Sequence, residues 1–330
     1  MNTTMGSLKQ RVLGKSGLKV SEIGFGLWAA GGDAWGPTND QEILDAIDYT
    51  LERGLNFYDT SDVYGAGHSE ELLGKAMQNR REKFIVATKI GWRDFDGERG
   101  QSAYNSVEKL IRGVESNLHR LNTGYIDIIQ SHIDFRDPTM EIFLEGFQRL
   151  QQAGKVKAYG VSTSDFSYLQ AFNQDGKCAT LQIDYSILNR TAEKEILPYC
   201  LEHNIGVIVR GALAMGILVG KFTPETRFPP GDFRARWYEN EAENKIFLND
   251  LAIVEKLRPL AESQNMSLEQ LALRFTLQHP AISTVIPGIK NISQADKNIQ
   301  AGYLPRLEGA LMQQLDVLVP PGGGRKIWPA

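Results

Sequence analysis

Eight short apolar runs, nearly all separated by amphipathic helical patterns, constrain the fold of this 330-residue chain more than any other feature. Ile23, Leu55, Phe84, Ile126, Val156, Leu181, Val207 and Val285 mark them. Each is short, β-branched or aromatic, and bounded by turn residues, as a buried strand is. The helices between them carry their own signals. Asn39 with Glu42 resembles a capping box, Ile43, Ile47 and Leu51 share a face, and Gly54 supplies a stop. Val107, Leu110, Val114, Leu118 and Leu121 form one apolar stripe, and further helical patterns cover 69–77, 139–152, 164–173, 192–203, 249–262, 268–278, 292–300 and 308–318. Ser267 with Gln270 caps the helix at 268. No linker or composition shift divides the chain, so one domain over 1–330 is expected. Eight βα units in one piece predict an α/β fold, the (β/α)8 TIM barrel, rather than an open sheet. Gln10–Leu13 and Leu18–Val20 flank a turn and predict an N-terminal β-hairpin. The proline-rich stretch 221–240 is too long for an ordinary connection and reads as a lid or a disordered loop, one of the long loops expected at the C-terminal face.

Composition excludes several functions. A formal net charge of −4 speaks against non-specific nucleic-acid binding, which needs many Lys and Arg facing phosphates. The two cysteines, Cys178 and Cys200, cannot build a disulfide framework or a structural zinc site and read as buried free thiols. No apolar run approaches the ~20 residues that span a bilayer, and the first ten residues do not read as a signal peptide. No membrane partner and a cytoplasmic location are the expectation. Two phosphate motifs fail on inspection. Gly14-Lys15-Ser16 lacks the P-loop's earlier glycine, because Lys9 stands there. Gly24, Gly26 and Ala29 match a dinucleotide fingerprint, yet a polar, glycine-rich loop follows instead of the helix that motif must open.

In a barrel, residues just beyond each strand converge on one face. The stretch 55–65, LNFYDTSDVYG, ends a strand at Asp59 and brings Tyr64 shortly after; Lys89 and His132 end two later strands. Taken alone, each has an ordinary reading: an exit-turn acid, a packed tyrosine, a surface lysine, a histidine satisfied by backbone. Together they make a proton-transfer set. A phenol is a poor acid near neutrality, a nearby ammonium stabilises its phenolate, and a carboxylate holds that ammonium in place. A histidine can orient a carbonyl oxygen. The four could protonate a carbonyl as hydride reaches its carbon, or deprotonate an alcohol in reverse.

Over almost its whole length the sequence resembles the aldo-keto reductase family, in its bacterial and plant-like branch with a short C-terminal loop. The resemblance rests on GLKVSEIGFG, LNFYDTSDVYG, VATKIG, YIDIIQSHIDF, GVSTSDF, LQIDYSILNR, GALAMGILVGKFT and TVIPGIKNISQADKNIQA, in order and spacing. It implies a metal-independent oxidoreductase that uses NADP(H) on an aldehyde, ketone or sugar, with Asp59, Tyr64, Lys89 and His132 as catalytic tetrad and Tyr64 as general acid/base. It further implies that Ser162 and Gln182 hold the nicotinamide carboxamide, with Thr163 and Arg210 among the cofactor-binding positions, and that Gly26 and Trp28 lie by the nicotinamide or substrate. Leu213, Gly216 and Lys221 would border the pyrophosphate, while Gly288, Lys290, Gln294 and Asn298 would bind the adenosine end. Trp28 and Trp92 are expected to line the substrate pocket. Some proteins of this resemblance are cofactor-sensing subunits of membrane channels, which is the alternative function. The partner is otherwise a small-molecule carbonyl or alcohol, and a homo-oligomer is compatible with the sequence.

Three positions depart from the family's pattern. Thr163 stands where an asparagine often completes the carboxamide clamp. Arg210 replaces an aromatic ring that stacks on nicotinamide; its guanidinium could stack, reach the pyrophosphate, or meet an anionic substrate. Gln294 stands where other branches use arginine on the 2'-phosphate.

Overall fold

A computed structural model describes residues 8–32, 34–91, 104–132, 139–229 and 231–325. The chain opens with an antiparallel hairpin, β1 (Gln10–Val12) and β2 (Lys19–Ser21). Eight parallel strands follow: β3 (Phe25–Gly26), β4 (Phe57–Asp59), β5 (Ile85–Ile90), β6 (Ile126–Ser131), β7 (Val156–Ser162), β8 (Thr180–Asp184), β9 (Gly206–Arg210) and β10 (Ile282–Val285). They pair in sequence order, and the sheet closes where Ile23 bridges Val285 and Gly26 bridges Gly288. Gly24 N–H donates to Val285 O at 2.8 Å across this seam. A Cβ on Gly26 would lie 2.6 Å from Ile286 O, so the closing strand requires glycine there. The expected (β/α)8 barrel with its hairpin is what the structure shows.

Helices clothe the barrel: α1 (Asp40–Glu52), α2 (His68–Met77), α3 (Val107–Arg120), α4 (Thr139–Gln152), α5 (Phe166–Phe172), α6 (Ile196–Glu202), α7 (Arg236–Glu239), α8 (Glu241–Ser263), α9 (Leu268–Gln278), α10 (Ile292–Tyr303) and α11 (Gly309–Leu318). Side-chain caps set many of their starts. Asn39 accepts from the N–H of Gln41 and Glu42, and Ser267 with Gln270 forms the full reciprocal box. Three starts differ from expectation by two residues or more. The helix at 192 begins only at Ile196, after a 3-10 turn at Thr191–Glu193. The helix at 164 begins only at Phe166, because Thr163 Oγ1 accepts from Asp165 N–H and Asp165 itself is the cap. The helix at 249 begins eight residues earlier, at Glu241, where Asn240 caps it and Phe247 packs on the Trp237 ring at 5.4 Å. The second half of 221–240 is thus partly helical, with a 3-10 turn at Phe233–Ala235 and then α7.

Two apolar clusters follow from strand alternation. One lies between barrel and helices. The other fills the barrel and joins Phe57, Ala87, Ile128, Ala158 and Ile208 to Leu13 and Val20 of the hairpin. The hairpin therefore stoppers the N-terminal mouth. Arg11 fastens it, donating to Glu22 Oε1 at 2.7 Å and to the carbonyls of Ile282 and Leu277. Gly14, in left-handed conformation, packs so tightly that a Cβ would sit 2.1 Å from Gly206 N. Cys178 and Cys200 are both buried free thiols, as expected. Burial pushes Cys178 up to about 12 and raises Cys200 as well.

Candidate active site

At the C-terminal mouth the inward-facing residues become polar. Lys89, near the end of β5, is fully buried. Its Nζ donates to Asp59 Oδ1 at 2.5 Å, to Thr60 O at 2.9 Å and to the Tyr64 hydroxyl at 3.2 Å. Asp59 ends β4, and its other oxygen accepts from Gln182 Nε2 at 2.7 Å. Tyr64 reaches the same point from the turn Tyr64–Gly67, in which Gly65 and Ala66 are both left-handed. A Cβ on Gly65 would meet Gly31 O at 2.3 Å, which is why glycine follows the tyrosine. His132, directly after β6, sets its ring edge-on to Tyr64, with centroids 5.8 Å apart. Its Nδ1 lies 2.9 Å from Ser61 Oγ. All four residues of the expected tetrad are brought together.

Burial decides how these groups titrate. It raises the Tyr64 phenol, and although Lys89 and Arg210 pull it down, the net direction is up. Lys89 pulls the phenol down, as expected, and desolvation outweighs that pull. Burial alone would lower Lys89, but Asp59 and Tyr64 raise it above the ordinary ammonium value, so it stays a cation. Burial, with Lys89 and Arg210, holds His132 well below its usual value and keeps the imidazole neutral.

Above this cluster opens a cavity of about 550 Å³ lined by Asp59, Tyr64 and His132. Gly26, Trp28, Ser162, Gln182, Arg210, Leu213, Gly216, Lys221, Gly288, Lys290, Gln294 and Asn298 line it too. Thr163 does not: it is buried, and its hydroxyl serves the turn into α5. Trp92 lies outside the described residues. Trp28 stacks on Tyr64 at 5.8 Å and on Phe233 at 5.5 Å, so 221–240 packs against the mouth. Arg234, from the same segment, lines the cavity and is held by both oxygens of Asp232. Arg236 instead pairs with Glu243 at 3.1 Å, and Trp237 is buried. Arg210 is lowered by burial and raised by Asp184, Tyr64 and Asp59.

At the far end Asn291 caps α10 by accepting from Gln294 N–H, and Gln294 Oε1 accepts from Lys290 N–H at 2.9 Å. Lys290 Nζ donates to Trp35 O at 2.6 Å. A Cβ on Gly288 would meet nothing within 4 Å, so the backbone borders open space. A cavity lined both by cations, a helix start and bare backbone and by a proton-transfer set fits a dinucleotide. The sequence reading missed Ser61, Trp35 and Phe233; only the DTSD run hinted at the first.

The Aldo/keto reductase family model matches residues 22–319. The chain belongs to the aldo/keto reductase family. It is 32% identical to the aldo-keto reductase YhdN of Bacillus subtilis over 288 residues, covering 85% of each chain. It is 31% identical to the NADH-specific methylglyoxal reductase of Escherichia coli, covering 89% of this chain and 93% of that one. Among solved structures, the glycerol dehydrogenase of Gluconobacter oxydans superposes with a TM-score of 0.81 at 28% identity, covering 99% of both chains. As an aldo-keto reductase the chain is an NAD(P)-dependent oxidoreductase. Among the described residues no helix is long and apolar enough to cross a membrane.

Proposed function

We propose that this aldo-keto reductase reduces an aldehyde, ketone or sugar carbonyl with NADP(H), or runs the reverse reaction, using Tyr64 as general acid/base. One observation carries the reading: a buried ammonium, Lys89, is held between the Asp59 carboxylate and the Tyr64 hydroxyl at the floor of the cavity. The cofactor supplies hydride to the carbonyl carbon. Tyr64, held protonated by burial, gives its proton to the carbonyl oxygen. Lys89 stabilises the phenolate left behind, and Asp59 keeps that ammonium aimed at Tyr64. His132, kept neutral, orients the carbonyl oxygen. Gln182 and Ser162 line the cavity and would hold the carboxamide; Gly288, Lys290, Gln294 and Asn298 line it too and would bind the adenosine end. Lys290, close to a helix start, favours the extra phosphate of NADP(H). A cofactor-sensing role on a membrane channel is not favoured, because a catalyst needs a proton-transfer set at a cavity floor and a sensor does not. Tyr64→Phe tests the proposal. NADPH oxidation in a carbonyl screen should fall by ~10²–10⁴-fold while NADPH binding, followed by fluorescence, is kept. Full activity in the variant would refute the role of Tyr64.

A further inference from the structure

His132 is tied to a second acid that the reaction above does not use. Ser61 Oγ donates to Asp62 Oδ1 at 2.9 Å and lies 2.9 Å from His132 Nδ1. Both ends of this chain therefore share one hydroxyl, which has a single proton to give. When that proton points at Asp62, Ser61 can only accept from His132, so Nδ1 must carry the ring proton. When Asp62 is itself protonated it donates to Ser61, the hydroxyl turns to His132, and Nδ1 becomes the acceptor. The proton of the neutral ring is then on Nε2. With Nδ1 engaged on Ser61, Nε2 is the atom through which His132 can meet a ligand in the cavity it lines.

We propose that Ser61 and Asp62 are positioning residues that set which nitrogen of His132 carries the proton, and so whether His132 presents a donor or an acceptor to the ligand. The surroundings place the crossover near neutrality. Burial and the neighbouring Glu70 carboxylate push Asp62 up to about 7, against the hydroxyl of Ser61 and the Arg120 guanidinium. Among the described residues, the charged or titratable groups facing it are Glu70 of α2, Arg120 of α3 and, through Ser61, His132; Asp62 N–H also donates to the carbonyl of Lys89. Arg120 Nε donates to Glu70 Oε2 at 2.7 Å, so Glu70 is anchored and remains beside Asp62. His132 is depressed well below its usual value, so the ring stays neutral while Asp62 titrates. On raising the pH, Asp62 releases one proton to solvent, the hydroxyl rotates, and the ring proton moves from Nε2 to Nδ1 with no change in ring charge. The consequence for substrates rests on the proposed reaction: below the crossover His132 donates to a carbonyl, and above it accepts from an alcohol.

The test needs no substrate. In ¹⁵N-histidine-labelled, ligand-free protein, ring ¹⁵N shifts report which nitrogen is protonated, read from about pH 5.5 to about 8.5. The expected result is an Nε2–H tautomer at the acid end and Nδ1–H at the basic end. Asp62→Asn, whose amide does not titrate, should hold one tautomer over the whole range, and Ser61→Ala should abolish the crossover. In kinetics, KM for a carbonyl should rise about tenfold across the crossover, as one hydrogen bond is lost, while KM for the alcohol falls. A wild-type His132 that keeps one tautomer over the whole range overturns the proposal without any variant having to fold. So does a crossover with unchanged midpoint in Ser61→Ala. Absence of turnover on every carbonyl and alcohol would instead count against the proposed reaction, while the ring ¹⁵N shifts would still decide the role of Ser61 and Asp62.

Discussion

In its lower half the barrel is filled by Phe57, Ala87, Ile128 and Ile208, whereas two residues further along the same strands stand Asp59, Lys89, Gln130 and Arg210. Strand alternation sends both sets inward, so the change is purely one of chemistry. The lower set has no polar group to satisfy and joins the hairpin in a dry plug. Lys89, Asp59 and Gln130 of the upper set are desolvated too, and are tolerable because Gln182 joins them into one network: Lys89 to Asp59, Asp59 to Gln182, Gln182 to Gln130. One end holds the barrel shut, and the other holds reactive groups in a geometry they would not choose in water.

That division can be broken at one position and sharpened at others. Lys89→Met should do most damage, because it leaves the Asp59 carboxylate buried without its cation. A loss of about 3–5 kcal/mol in denaturant unfolding, together with loss of turnover, is expected. Phe57→Ala should cost a similar about 3–5 kcal/mol through the void it leaves in the plug, while kcat of the folded fraction is kept. A fall in kcat as large as the stability loss would show that the two ends are not separable. Lys290→Ala should leave unfolding unchanged and weaken NADPH, but not NADH, by ~10–100-fold, as expected for a hydrogen bond to a charged group. Equal loss for both cofactors would reassign Lys290. A pH-dependent effect concerns Asp62. Its folded-state value is raised to about 7, so the stability it contributes is fully present below the ordinary carboxyl value and is lost as pH rises through about 7. The Tm of the wild type relative to Asp62→Asn should therefore drop between about pH 4 and about pH 7. A constant difference would place Asp62 at an ordinary value.

Much of the upper end was legible because its signals are local. Asp59, Lys89 and His132 sit at the ends of runs that can only be buried strands, and a barrel gathers strand ends by construction. Ser267 with Gln270 announced a helix start in four residues. What stayed hidden depended on partners distant in sequence or on a single hydroxyl's choice. Gln182 reads as a cofactor ligand, and only the fold shows it bonded to Asp59 across 123 positions. Thr163 reads as part of the same clamp, but a competing bond to its own turn takes its hydroxyl away. The early start of α8 rests on Phe247 meeting Trp237, a packing event that a proline-rich loop does not advertise.

Cys178 and Cys200 turn the packed layer between barrel and helices into a built-in clock. A thiol reacts with alkylating reagents as its thiolate, and both thiols are buried with their ionisation pushed far above neutrality. In the closed barrel they offer such a reagent almost nothing to attack. Labelling therefore counts excursions in which the wall of the barrel parts, and its rate gives the frequency of opening in a molecule that otherwise looks still.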